Sequence, residues 1–311
     1  MRVTSNSFTS SLVDQLNRLA GRQYKLQNQV ATGQRIQAPE DDPAAVQRTL
    51  SLSVEAGAVR QFTNNIALLR ERATTAFDAL KAVKTISDRA GEIATLADGT
   101  KSPDELRIYA TEVTQLIQQA AQVLNGKQRG DYLFGGTASG QPPFTVTTDA
   151  NGNVTGVTYN GNTNVAEADI ASGVGLSVDV PGANSTGSGP RGLVSDSRTG
   201  ADFFNHLIAL QNNLLAGDTG AIAATDLAAL RSDEDNFLHH IGNNGAVQMQ
   251  LETAATVASA RSLSLDQMIS KEADADIAET LVQFNQAQYA YQAALQSGAG
   301  IMGRSLLDFL Q

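Results

Sequence analysis

The most constraining feature of this chain is a pair of matched apolar stripes at its two ends. Leu12, Leu16, Leu19, Gln23, Leu26 and Val30 are spaced 4, 3, 4, 3, 4, and so are Ile277, Leu281, Phe284, Gln288, Tyr291 and Leu295. That alternation keeps one face of a helix apolar over several turns, the pattern of a coiled-coil seam. Two such seams at opposite ends most simply pair with each other and with neighbouring molecules. Leu12, Leu16, Leu19, Leu26, Val30, Ile277, Leu281, Phe284, Tyr291 and Leu295 are therefore the candidate assembly residues.

Proline marks what lies between. None of the seven falls between Pro43 and Pro103 or after Pro190, so long helices are permitted there. Asp42-Pro43 and Ser102-Pro103-Asp104-Glu105 read as helix starts, each with a capping side chain and a first-turn proline. Between them Val59, Phe62, Ile66, Leu69, Ala73, Ala76, Leu80 and Val83 form an unbroken stripe. A helix reaching Ala97 would be about 80 Å long at ~1.5 Å per residue. Further stripes follow at Phe203–Leu214, Leu227–Ile241 and Val247–Met268, the first opened by Thr199-Gly200-Ala201-Asp202, which resembles a capping box.

Residues 131–200 differ. They hold 13 of the 27 Gly and four of the seven Pro, and no Lys, a shift that marks an inserted module. Phe144, Val146 and Thr148, the turn Asn151-Gly152, then Val154, Val157 and Tyr159 predict a hairpin. Val174, Leu176, Val178 and Val180 alternate like one buried strand face. The expected fold is mainly α: a long antiparallel helical bundle or coiled coil formed by both chain ends, with an inserted small β domain. The expected division is 1–42 with 272–311 as a terminal coiled-coil assembly domain, 43–130 with 201–271 as a helical rod domain, and 131–200 as the β-rich domain.

Chemistry is sparse. With no Cys, thiolate nucleophiles, disulfides and thiolate metal sites are excluded. Lys plus Arg number 22 against 32 Asp plus Glu, a poor balance for wrapping nucleic acid, whose affinity comes from neutralised phosphates. No apolar run is long enough to span a bilayer as a helix, and Met1–Phe8 lacks the apolar core of a secretory signal peptide. Asp235 and His239 could share a helix face, but two ligands do not make a metal site. Adjacent His239 and His240 read as a solvated helix end, and His206 as a packed or rim residue. The glycine pairs lack phosphate-loop spacing, and no nucleophile elbow is present. The sequence thus predicts no enzyme, no metal and no cofactor.

From Thr280 to Gly303 there is no charge but five Gln and one Asn. That is too polar for lipid and too uncharged for a solvated face, so protein is expected to cover the outer side of this helix as well. By contrast, the first 39 residues carry Arg2, Arg18, Arg22, Lys25 and Arg35 against Asp14 alone.

Two segments resemble the signatures of bacterial flagellins and their relatives. One runs from Leu26 through Val30, Gly33, Arg35, Ile36, Ala38, Asp41, Asp42 and Pro43 to Ala44. The other runs from Asp274 through Asp276, Ile277, Glu279 and Leu281, leading on to Ser305-Leu306-Leu307-Asp308-Phe309-Leu310. Within the family, Met1-Arg2-Val3-Thr4-Ser5, Gly130–Gly136 and Gln141–Phe144 look like the hook–filament junction members rather than filament flagellins. The resemblance implies a secreted, extracellular structural adaptor of the flagellum, exported by the flagellar type III route. It implies self-association in a ring, neighbouring hook-associated protein and flagellin as partners, a flagellar export chaperone, no nucleic acid and no membrane insertion. Filament flagellin is the alternative, and a soluble coiled-coil binding module lies outside the family.

Overall fold

The computed structural model describes the backbone of residues 5–309 and the side chains of residues 10–299. The signature residues Met1–Ser5 and Ser305–Leu310 therefore lie outside the described side chains. The long helices are α1 (Ser5–Thr32), α2 (Pro43–Leu96), α3 (Pro103–Leu124), α4 (Phe203–Ala216), α6 (Leu227–Ala273) and α7 (Ile277–Phe309). A single turn, α5 (Thr219–Ala221), and a π-helical turn over Ile222–Asp226 lead into α6. The expected mainly α fold, with paired chain ends and a β-rich insert, is the fold observed.

The helix starts follow the local chemistry. Asp42 Oδ1 accepts from Ala45 N–H at 3.0 Å. Ser102 and Glu105 form a reciprocal capping box ahead of Pro103. Asp98 ends α2 by accepting from Thr100 N–H. At α4 the expected capping box is absent. Ala201–Asp202 form a short strand instead, and Asp202 makes no side-chain cap bond to the helix. Its carboxylate accepts from the Asn205 side chain.

The chain divides into two compact units, 1–58 with 260–311, and 59–259. In the second, the predicted α2 stripe is the core: Ile66, Ala73, Leu80 and Val83 are buried, as are Phe203, Leu207, Leu210 and Leu214 of α4. Residues 227–273 form one helix although Gly242 and Gly245 interrupt the pattern. The Asn244 side chain donates to Ala73 O, so packing on α2 offsets the helix-weakening cost of those glycines.

The insert consists of hairpins. β1 (Lys127–Gln128) pairs with β2 (Asp131–Tyr132), β3 (Phe144–Thr148) with β4 (Val154–Tyr159), and β5 (Ala168–Ala171) with β6 (Val174–Leu176). In a last small sheet, β8 (Ser195–Asp196) runs parallel to β7 (Ala183–Asn184) and antiparallel to β9 (Ala201–Asp202). The Asn151-Gly152 turn is present, with Gly152 at φ +87° and Asp149 accepting from Asn151 and Asn153 N–H. The long strand expected over Val174–Val180 is not. β6 stops at Leu176, Val174 is exposed and Val178 is buried outside any strand.

Residues 131–200, expected as an inserted β-rich domain, fall within the second compact unit. Leu133, Phe134, Phe144, Val154, Leu193 and Val194 join the same core as the helices. Polar groups stitch the two together. Fully buried Gln211 of α4 accepts from Thr114 Oγ1 of α3 and from Val154 N–H, and donates to Val154 O. Asn125, at the end of α3, exchanges two bonds with the backbone of Phe144. A Gly-rich composition marks the insert in sequence, but its few large side chains have nowhere to be buried except against the helices.

Candidate functional site

The terminal unit is built from α1, α7, the start of α2 and the end of α6. α1 and α7 lie antiparallel, with Leu12 against Gly298 at one end and Gln34 bridged to Asp274 at the other. All six stripe residues of α1 are covered or half-covered, Leu26 most of all. On α7 the covered or half-covered positions are Thr280, Gln283, Phe284, Ala287, Tyr291, Ala294 and Gly298. Phe284 and Tyr291 are thus where the sequence pattern puts them. Ile277, Leu281 and Leu295 are not: they are 40%, 42% and 43% exposed.

The reason is size. The leucines of α1 fill the space between the helices, so α7 meets them with small residues. A Cβ on Gly298 would stand 2.6 Å from Leu12 Cδ2, closer than packed carbons approach. Leucine at every seam position of both helices would force them apart. The displaced large residues join Val282 and Tyr289 on the open face of α7. Val13 and Tyr24 of α1 are exposed too.

Where these helices end, the two breaks are clasped together. Gly33 takes φ +71°, a left-handed helix end that suits glycine. Gly33 O accepts from Ala275 N–H, and Arg35 N–H donates to Ala273 O, both at 2.8 Å. The Arg35 guanidinium donates to Glu272 O and to Asp42. Arg48 pairs with Glu272 at 2.8 Å, and Lys25 with Asp41 at 2.7 Å. The Lys25 ammonium, joined by the N–H groups of Gln37 and Ala38, lowers the Asp41 carboxyl to about 2. Asp42 is lowered by Ala45 N–H and then by Arg35, and Glu272 chiefly by Arg48. Asp276 opens α7, accepting from Ala278 and Glu279 N–H. Lys25, Arg35, Asp41, Asp42 and Arg48 come from the α1–α2 region, and Glu272, Asp274 and Asp276 from the end of α6 and the start of α7, so the clasp links parts of the chain more than 200 positions apart.

The histidines stand elsewhere, in the second unit. His239 and Asp235 are exposed. His240, expected on a solvated helix end, is buried in mid-helix with Nε2 3.1 Å from Gly192 O. Burial lowers its imidazole to about 4. His206 pairs with buried Asp233. Among the described residues, no group of three or more His, Cys, Asp or Glu could hold a metal ion, and no helix is long and apolar enough to cross a membrane.

The family model of the bacterial flagellin N-terminal helical region matches residues 3–139. Flagellar hook-associated protein 3 of Escherichia coli is 24% identical over 91% of this chain and 92% of its own length. The protein of that name from Salmonella typhimurium is 22% identical over 99% of each chain. The chain is flagellin-like and similar to hook-associated protein 3. The solved FlgL of Bacillus cereus has the same fold, with TM-score 0.55 and 19% identity over 71% of this chain and 99% of that one. These relatives are structural flagellar proteins rather than enzymes. The flagellin-like signature in the first half of the chain now has a physical content. Gly33, Arg35, Asp41, Asp42 and Pro43 are the clasp itself, and Asp274 and Asp276 are its other side.

Proposed function

We propose that this chain is a structural adaptor of the bacterial flagellum, joining hook to filament as a ring of identical subunits outside the cell. The observation that carries the reading is the open face of α7. Ile277, Leu281, Val282, Tyr289 and Leu295 are left exposed on a helix without a charge from Thr280 to Gly303. An apolar face of this kind on a long helix calls for a protein cover. In the assembly these residues, with exposed Val13 and Tyr24 of α1, form contacts between subunits and with a neighbouring hook-associated protein on one side and flagellin on the other, while the α1 seam holds α7 in place. Before export a flagellar chaperone covers the same face. Segments 1–42 and 272–311 act as the assembly domain, and the role is structural, without catalysis, metal or nucleic acid.

Two experiments test this. Immunolabelling of isolated flagella should give one band next to the hook; label along the filament would make the chain a flagellin instead. Leu281→Asp places a charge on an exposed position, so the free protein should melt within about 0.5 kcal/mol of the parent. In an assembly the same charge would be buried without a partner, at a cost of several kcal/mol. The variant should fold and fail to incorporate. Normal motility of a strain carrying it would remove the open face from the assembly surface.

A further inference from the structure

The strongest feature outside the terminal unit is a buried ionisable pair in the second unit. Asp233 of α6 has no exposed side-chain surface, and His206 of α4 is 24% exposed. His206 Nδ1 stands 2.8 Å from Asp233 Oδ2. Asp233 Oδ1 accepts from Asp202 N–H at 2.9 Å. One carboxylate thus holds strand β9, the first turn of α4 and the body of α6. The next residue along, Phe203, donates its N–H to Val194 O on the far side of the insert's return path.

We propose that the His206–Asp233 clasp is a pH-sensitive latch: protonated His206 holds β9 and the start of α4 to α6, and its neutralisation loosens them. The charged groups acting on His206 are Asp233, then Asp202 of β9 and Asp226 of the π-helical turn, all acids. α3 and β4, which also pack on α4, meet it through Thr114, Val154 and Gln211, which do not titrate. The imidazolium is the cation that answers these carboxylates. Once neutral, it can still donate one hydrogen bond, but Asp233 is then a buried charge without a countercharge.

The sign follows from the two groups. The bond to Asp233 raises the imidazole above its ordinary 6.5, against a smaller opposing effect of burial. A raised histidine contributes stability that is complete below about 6.5 and is lost as the pH rises through its folded value. Burial raises the Asp233 carboxyl in spite of the attraction of His206, which also places the greater stability on the acid side. His240 opposes them only at lower pH, where its buried ring must be charged.

The test is amide hydrogen exchange of Asp202 and Phe203 in the full-length protein, corrected for intrinsic rates, at about pH 6 and about pH 9. Protection of both amides should fall several-fold between the two. In His206→Asn, which keeps a donor in place but cannot titrate, and in Asp233→Asn, which keeps the acceptor for Asp202 N–H, the ratio should be flat. Protection in the parent that does not change with pH, or changes equally in the variants, would overturn the proposal. Where a variant does not fold, the His206 ring titration in the parent, followed by nuclear magnetic resonance, decides. A midpoint at or below 6.5 refutes the latch.

Discussion

Phe144 is the sharpest probe of whether insert and helices form one cooperative body. It begins β3, is 3% exposed, and its ring centroid lies 5.3 Å from both Tyr159 of β4 and Phe204 of α4. Phe144→Ala removes a ring from a packed core, where such truncations cost about 3–5 kcal/mol. In a body of this size, residues 59–259, each kcal/mol moves the melting temperature by roughly 2–4 °C. The helical melt, read by far-ultraviolet circular dichroism, should therefore fall by about 10 °C while remaining a single transition. The refuting result is specific. If the helical melt is unmoved and only a minor near-ultraviolet transition shifts, the insert folds by itself and its residues only lean on the helices. The same logic predicts that replacing residues 138–198 by a short linker abolishes the cooperative melt, because Phe144, Val154, Leu193 and Val194 leave the core together.

Gln211→Leu leaves buried Val154 N–H and C=O without partners; at ~1–3 kcal/mol for each unsatisfied group, denaturant titration should show a loss of about 2–4 kcal/mol. Gly298→Val should wedge α7 away from Leu12 at a cost of about 1–3 kcal/mol, and Leu12→Ala in the same chain should recover part of it, measured as a double-mutant coupling. His240, lowered to about 4 by burial, adds stability that is complete above about 6.5 and disappears as the pH falls toward its folded value. The parent should lose up to about 3 kcal/mol over that window, and His240→Gln should lose less of it.

Much of the helical frame is legible in the sequence because its signals are local. Asp42 with Pro43, and Ser102 with Pro103 and Glu105, depend only on backbone groups within one turn. The Val59–Val83 stripe is legible because each of its members is buried except half-buried Phe62. What is not legible depends on distant partners. Val178 continues an alternating pattern, yet β6 ends at Leu176. Gln211 could have been noticed, since it falls between Leu207 and Leu214 at seam spacing of 4 and 3. Read alone it is a polar residue on a helix, and only the unpaired backbone of Val154 gives it a reason to be inside. The clasp was readable as a signature but not as a contact, because Arg35 and Glu272 are 237 positions apart.

The same displacement recurs in two long helices, and it explains why apolar periodicity names the right helix but not always the buried face. In α6 the pattern selects Leu230, Glu234, Phe237 and Ile241, whereas the polar residues buried with Leu230 and Phe237 are Asp233, Asn236, His240 and Asn244. These face groups that need polar partners: the Asp202 N–H, the Gly192 carbonyl and the Ala73 carbonyl. Side chains that satisfy them are favoured there over larger apolar ones, since an unmet buried backbone group costs more than a lost methyl contact. In α7 the pattern selects Leu281 and Leu295, whereas the buried residues beside Phe284 and Tyr291 are Ala287 and Gly298. There the partner helix already supplies the leucines. At 3.6 residues per turn, moving from the pair 284 and 288 to the pair 284 and 287 rotates the stripe by about 50°. A seam chosen by hydrophobicity and one chosen by fit therefore share only some members, here Phe284 and Tyr291. The remainder divide by size, small residues toward α1 and large ones toward the outside. Helix α7 thus carries two adjoining faces in one heptad pattern, the inner filled by its own chain and the outer exposed.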